Sequence, residues 1–225
     1  MKTRKVEIVD HSYSNQHSSY TKRVITVEGN SQIEVKPDYA KIQVEVTTQS
    51  EDLSDAQREN SLKMNQVIQS LLALGIDRND VQTALFNVFP RYDYIEGKQV
   101  FRGYEVSNAI NVEVHDIDKV GIVIDTAIRN GANRISQLEF KLENDSQYYQ
   151  RALQLALQNA HEKANAISAA LRLSYMPIPI EITEETSGAP VLLKTVAGVQ
   201  SNNFETPIEQ GTIKVEATLK VKYLF

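Results

Sequence analysis

The chain has 225 residues, a formal net charge of -5 at pH 7 and a hydrophobic content of 41%, values that are ordinary for a globular protein. That length allows one large domain or two small ones. The acidic balance argues against broad binding of nucleic acid, which needs clustered lysine and arginine, and the absence of cysteine excludes disulfides and thiolate chemistry.

The first 22 residues are predicted to form a flexible tail, because they are too polar to offset the entropy lost on ordering. The short apolar run "VEIV" within them could still pair as an edge strand. The tail lacks the apolar segment of a secretory signal, and no run in the chain is long enough to span a membrane. If Met1 is the native start, we expect a cytoplasmic protein; the alternative is an exported or envelope-associated one.

Amphipathic strands dominate residues 23–225, which we expect to form a single domain. The segments "YAKIQVEV" and "TIKVEATLKVKYL" alternate apolar and polar residues, the pattern of a strand with one solvated face. Gly29 and Asn30 are interpreted as a turn. Pro37 has no amide hydrogen, so we place it between strands or at a sheet edge. Strands of this kind favour antiparallel pairing.

Three segments change to helical periodicity, at about 52–74, 116–131 and 145–172. Ser54 resembles the start of a capping box and Asp116 is a candidate N-cap, while Gly75 and Gly131 suit helix C-termini. The third helix is predicted to bury a stripe of leucine, isoleucine and alanine residues: Leu153, Ala156, Leu157, Ala160, Ala164, Ile167 and Leu171. Alanine every fourth residue from 152 predicts close packing, either on the protein's own sheet or on a helix of another subunit.

The order of these elements is strands, helix, strands, helix, strand, helix, strands. It predicts an α+β fold, with one or more largely antiparallel sheets of long amphipathic strands and about three helices packed on one face.

An aromatic hairpin, "YDYIEGKQVFRGYEV" at residues 92–106, is the most distinctive segment. A type II′ turn at Gly97-Lys98 is predicted, which would place Tyr94 opposite Phe101, Asp93 opposite Arg102 and Tyr92 opposite Gly103. Tyr104 would then lie on the other side of the ribbon. The aromatic residues either hold the two strands in register or form a binding surface. The candidate self-association or binding surface consists of Tyr92, Tyr94, Phe101 and Tyr104.

Catalytic motifs are not found in the sequence. The segment "HEKAN" has Asn165 where a zinc-binding HExxH motif needs its second histidine, so His161 is interpreted as a surface residue. Glycine-rich phosphate loops and the nucleophile elbow are also missing. We therefore predict no catalytic residue, no cofactor and no metal site.

Five segments in order resemble the SIMPL-domain family of bacterial proteins. They are "VEGNSQIEVKPDYAKIQVEV", "LLALGIDRNDVQT", "PRYDY" followed by "RGYEVSNAINVEV", "VIDTAIRNGANRISQLEF", and the alanine-rich "ALQLALQNAHEKANAISAAL". The resemblance implies an α+β fold without an established reaction. It also implies envelope association, stress tolerance and ring-like or channel-like homo-oligomers, as in some relatives. The family often has Leu-Gly after the third helix, where this chain has "LRLSYMP".

Together these observations predict a non-enzymatic, self-assembling homo-oligomer, with a possible stress-related or envelope-related role. The alternative is a small-ligand binding protein or an unrecognised enzyme that uses the aromatic hairpin and the long 197–211 loop.

Overall fold

The computed structural model describes residues 4–7, 23–174, 176–185, 191–193 and 206–225. The fold is α+β, as predicted, with antiparallel sheets and helices. None of the helices within these ranges is long and apolar enough to cross a membrane. The strands are β1 (Arg4–Glu7), β2 (Val24–Val35), β3 (Tyr39–Ser50), β4 (Val81–Ile95), β5 (Lys98–Val114), β6 (Arg134–Lys141), β7 (Ile178–Glu185), β8 (Val191–Leu193) and β9 (Thr212–Leu224). The helices are α1 (Leu53–Ala73), α2 (Val120–Arg129) and α3 (Asp145–Ala170).

The described residues group into two compact units. The first unit takes them from 1–36, 144–193 and 212–225, and the second from 37–143 and 194–211. The interpretation of residues 23–225 as a single domain stays a prediction.

The first unit is one sheet covered by α3. The strand order is β1-β7-β9-β2, with β8 also pairing with β9. The expectation that "VEIV" pairs as an edge strand is confirmed in part, because β1 includes its first two residues and pairs with β7. Helix α3 packs on β2 and β9 of the same unit, so the alanine row packs on the protein's own sheet.

The buried stripe of α3 is narrower than predicted. Ala152, Ala156, Ala160 and Ala164 are fully buried. The predicted flanking residues Leu157, Ile167 and Leu171 are instead exposed. Small side chains bring the helix axis so close to the sheet that larger residues beside the row fall at its margin.

Gly29 is the residue on which this close approach depends. The turn predicted at Gly29-Asn30 is wrong, because β2 runs through both residues and pairs with β9 along its whole length. A Cβ atom at Gly29 would overlap the carbonyl oxygen of Ala156. Glycine is therefore required at position 29 by the contact between α3 and β2.

Pro37 lies between β2 and β3, as predicted.

The second unit is a four-stranded sheet in the order β4-β5-β3-β6. Helix α1 packs on β3 and β5, and α2 packs on α1 and β3. The core lies between this sheet face and the two helices, and its fully buried members include Ile42, Val44, Val67, Leu71 and Val123. Strand β4, at the edge of the sheet, contributes only Val81 to that core.

The helix ends confirm two of the four predicted caps. Gly75 and Gly131 have positive φ angles of 98° and 116°, as expected after a helix. The capping box at Ser54 is wrong, because Asp52 is the N-cap of α1 and its side chain accepts a hydrogen bond from the amide of Asp55. Asp116 precedes a short 3-10 turn and makes no side-chain capping bond.

Candidate self-association surface

The hairpin between β4 and β5 closes through a turn at Glu96-Gly97. Both residues have positive φ angles, 49° and 79°, and Ile95 pairs with Lys98. This is the pattern of a two-residue type I′ turn, whose twist matches that of the flanking strands. The predicted type II′ turn one residue later is wrong, because Glu96 adopts a left-handed conformation that is uncommon for a residue with a side chain.

The register of the hairpin consequently differs from the prediction. Tyr92 pairs with Phe101, and Tyr94 pairs with Gln99. A bulge at Arg102 then places Gly103 opposite Arg91.

The backbone conformation at this bulge requires glycine at position 103. Its φ angle is 106°, and a Cβ atom there would overlap the carbonyl oxygen of Ser50. The prediction that Tyr92 lies opposite Gly103 is wrong, because Tyr92 pairs with Phe101. The predicted ion pair between Asp93 and Arg102 does form, at 2.7 Å, although the two residues are not directly opposite.

Three of the four candidate aromatic residues form one cluster. The ring centroids of Tyr92 and Phe101 are 5.6 Å apart, and those of Phe101 and Tyr104 are 5.3 Å apart, both with edge-to-face geometry. The bulge brings Tyr104 to the same side as the other two, which corrects its predicted position. Tyr94 is the outlying member, with 76% of its surface exposed.

The cluster continues an apolar row along β4. Phe86, Val88 and Pro90 pair with Asn108, Val106 and Tyr104, the residues of β5 that point towards the helices. Because side chains alternate along a strand, these β4 residues share that face. We call the set of exposed residues Phe86, Val88, Tyr92, Tyr94 and Phe101 the β4 patch.

The β4 patch is an extension of the core face that the helices leave uncovered. Val88 is 38% exposed, whereas Val106, its partner on β5, is fully buried. The opposite face of β4 also exposes Leu85 and Phe89. Exposed apolar surface of this kind makes the β4 patch a candidate interaction site.

Sequence reasoning missed the β4 residues that precede the hairpin. The segment "TALFNVF" places apolar residues on both faces of the strand, because Leu85 and Phe86 are adjacent, as are Val88 and Phe89. The available signal was the loss of clean alternation at an edge strand, which predicts that neither face is wholly solvated.

The outer edge of β4 is interrupted by Pro90. Ile95 and Lys98 close a two-residue turn and form a hydrogen-bonded pair, so the even-numbered residues of β4 from Phe86 to the turn direct their main-chain groups away from β5. Pro90 belongs to that outward set and has no amide hydrogen. A partner strand added along this whole edge would lose a hydrogen bond at Pro90, which favours contact through side chains.

One polar cluster elsewhere in the second unit surrounds His115. His115 lies 3.5 Å from a carboxylate oxygen of Asp80 and 3.2 Å from one of Glu143, and its ring is 5.6 Å from that of Tyr39. The sequence places His115 at a strand–helix junction but does not show these distant partners. Among the described residues, no group of three or more histidine, aspartate or glutamate side chains is placed to hold a metal ion.

In the first unit, Tyr149 is hydrogen-bonded to a carboxylate, and His161 is exposed. The Tyr149 hydroxyl donates a 2.7 Å hydrogen bond to Glu184, and burial together with this carboxylate raises the pKa of Tyr149 to about 12. His161 is exposed, as predicted, with its ring 6.0 Å from that of Tyr223. His11 and His17 lie outside the described residues.

The described residues form an α+β protein with two antiparallel sheets and three helices. Its most distinctive feature is the exposed aromatic surface of the hairpin between β4 and β5. The sequence profile of the SIMPL family, described as a protein of unknown function (DUF541), matches residues 25–223. The chain belongs to this family.

Named relatives are found in several bacteria. The chain is 25% identical over 154 residues to the uncharacterized protein YggE of Escherichia coli (strain K12), covering 68% of this chain and 63% of YggE. It is 28% identical over 165 residues to the 26 kDa periplasmic immunogenic protein of Brucella melitensis biotype 1, covering 71% of this chain and 66% of that protein. The chain thus spans less than two thirds of these relatives, and their names indicate no catalytic function.

Proposed function

We propose that this protein is a non-enzymatic, self-associating member of the SIMPL family and that the β4 patch is its contact surface. The observation that carries the proposal is the apolar row of β4, which extends the core face beyond the cover of α1 and α2. Burying such a row contributes roughly 25 cal/mol per Å² of apolar surface removed from water, before the cost of association is subtracted.

A second copy of the chain is the proposed partner. An apolar row on an edge strand is self-complementary when two copies meet across a two-fold axis, because identical aromatic and aliphatic residues then face each other. The patch itself carries no charged side chain, and Asp93 is paired with Arg102 beside it, so the two copies bring no like charges together at its centre. The family resemblance, which implies homo-oligomers, points the same way.

Two exposed residues provide the sharpest test. Replacing Phe86 and Tyr94 together by serine should shift the protein towards the monomer, because both side chains would be buried only in the assembly. We avoid Phe101 here because its ring contacts two tyrosines within the same chain. Sedimentation velocity at matched micromolar concentrations of wild type and variant measures the shift.

The matched control is Leu62→Ser. Leu62 lies on α1 in the same unit and is 60% exposed, so its loss removes exposed apolar surface outside the patch. The control should sediment as the wild type does. If the Phe86→Ser/Tyr94→Ser variant remains folded by circular dichroism and still assembles like the wild type, the β4 patch is not the contact surface.

We further propose that the protein acts in the cell envelope. The Brucella relatives named as periplasmic support this alternative and give no support to the cytoplasmic expectation. Fractionation of cells that express the full-length gene product measures the location of the protein, and recovery in the cytoplasm alone contradicts an envelope location.

The alternative of ligand binding by the hairpin with the 197–211 loop stays a prediction, since only residues 206–211 of that loop are described.

A further inference from the structure

Strand β2 forms one edge of the first sheet, and side chains of α3 make hydrogen bonds to its main chain. Strand β2 ends the sheet order and pairs with β9. On its outer side, the Lys163 ammonium donates a 2.7 Å hydrogen bond to the carbonyl of Glu28. The Asn159 side-chain oxygen accepts a 3.2 Å hydrogen bond from the amide of Asn30.

These two bonds are of the kind that an added strand would form. One supplies a donor to an outward carbonyl, and the other supplies an acceptor to an outward amide two residues along β2. Lysine has a long flexible stem and is strongly hydrated, so Lys163 can leave Glu28 at low cost when a peptide amide replaces it. The edge is therefore capped by groups that a main chain can displace.

A cavity of about 540 Å³ lies along the same edge. Its apolar part comes from Val27 of β2 and from Ala166 and Ile167 of α3. Two ammonium groups and one carboxylate line it, from Lys163, Lys220 and Glu28. The lining thus combines a strand edge, an apolar wall and an excess of positive charge.

We propose that this groove binds an extended acidic peptide as an additional strand on β2. The peptide amide replaces Lys163 at the carbonyl of Glu28, and a peptide carbonyl replaces Asn159 at the amide of Asn30. The released Lys163 ammonium pairs with a carboxylate of the peptide, and Lys220 offers a second cation. Apolar side chains of the peptide contact Ile167. Strand addition in a groove between a sheet edge and a helix is a general mode of peptide recognition.

The test uses a synthetic probe, acetyl-Val-Glu-Val-Glu-Val-amide, titrated into isotopically labelled full-length protein and followed by nuclear magnetic resonance. We expect saturable shifts of the amides of Thr26, Glu28 and Asn30, with slower hydrogen exchange at outward amides of β2. The same peptide with lysine in place of glutamate should bind at least about tenfold more weakly, which corresponds to about 1.4 kcal/mol.

Charge and hydrogen bonding are then tested separately. The Lys163→Gln/Lys220→Gln variant should lose about tenfold or more in affinity for the acidic probe. Lys222→Gln is the matched control, because Lys222 lies on the same face of β9 two residues from Lys220 but outside the groove; its affinity should be unchanged. A probe methylated on its central amide nitrogens should bind more weakly, since it cannot donate to Glu28.

Three results overturn the proposal: no saturable shift up to millimolar probe, equal binding of the lysine peptide, or full affinity in the Lys163→Gln/Lys220→Gln variant. Shifts confined to β4 would assign the probe to the β4 patch and also reject the groove. The groove belongs to the first unit and the β4 patch to the second, so shifts in β2 and shifts in β4 distinguish the two surfaces.

Discussion

At the residue scale, the same hydrogen-bond pattern closes all three helices, with different residues at the key position. After α1, the amide of Ile76 donates to the carbonyl of Leu71, and Gly75 takes the left-handed conformation between them. After α3, the amide of Leu173 donates to Ser168, but the left-handed residue is Arg172, with a φ angle of 55°. A residue with a Cβ atom pays about 1–2 kcal/mol for this conformation.

Arg172→Gly is therefore predicted to stabilise the protein. Glycine removes the conformational cost but gains entropy when unfolded, so a net increase of about 0.5–1 kcal/mol in the free energy of unfolding is expected. Urea denaturation measures it. The reciprocal control, Gly75→Ala, should destabilise by about 1 kcal/mol. An Arg172→Gly variant that is less stable than wild type would show that the arginine side chain stabilises the native state by more than its backbone costs.

Individual residues also show where sequence reasoning succeeds. Gly75 and Pro37 were predictable because their backbone properties act locally. Gly29 was not, because its reason is the carbonyl of Ala156, more than a hundred residues away. Asn60 was missed for the same reason: it is fully buried on α1, where its amide donates to the carbonyls of Val46 and Val106 at 2.8 and 2.9 Å.

At the element scale, helices and strands followed from periodicity, whereas pairing within the hairpin did not. The three helices lie within one or two residues of the predicted limits, apart from the short turn that precedes α2. The hairpin register depends on which two residues form the turn. Because Glu96 adopts a left-handed conformation, the turn lies one residue earlier than predicted and the pairing of the strands changes. The four aromatic candidates stay a prediction, and their pairing was not predictable because the bulge at Arg102 shifts the register.

The described end of the long loop is hydrogen-bonded to α2 through the carboxylate of Asp125. Asp125 accepts hydrogen bonds from the Thr206 hydroxyl at 2.6 Å and from the Thr206 amide at 3.2 Å. These bonds, the hydroxyl bond above all, hold the pKa of Asp125 below its ordinary value. A carboxylate with a lowered pKa in the folded state stabilises it above the unfolded pKa and loses that effect as the pH falls through the folded pKa.

We expect the chemical shift of the Thr206 amide to titrate with a midpoint below that of an ordinary aspartate, about 3.9. Thr206→Val should move the midpoint of Asp125 upwards, because the hydroxyl bond is lost while the amide bond remains. Asp125→Ala should remove the titration from this amide altogether. A wild-type midpoint at or above the ordinary value would contradict the attachment of this segment through an ionised Asp125.

At the scale of the whole molecule, the edge strands β2 and β4 differ in how much of them a helix covers. In the first unit, α3 covers the outer edge of β2 with Asn159 and Lys163. In the second unit, α1 packs on β3 and β5 and leaves the apolar residues of β4 exposed. Native proteins usually protect an edge strand with charge, proline or a covering element. Pro90 protects the hydrogen-bonding edge of β4 but not its side-chain face.

The fold class was predictable at this scale because long alternating strands and three helical segments leave few α+β arrangements. The division into two units was not, since β2 and β9 pair across most of the chain length. Self-association was predicted from the aromatic hairpin and the family resemblance. It stays a proposal, and the apolar face of β4 that α1 and α2 leave exposed is the observation that supports it.

The mass of the protein in solution tests the self-association proposal most directly. Sedimentation equilibrium across a range of micromolar concentrations should give a mass that is a multiple of the 25.4 kDa chain. Dilution should lower that mass, because the contact is a side-chain surface of modest size. A mass of one chain at every concentration would contradict the proposal that this protein assembles.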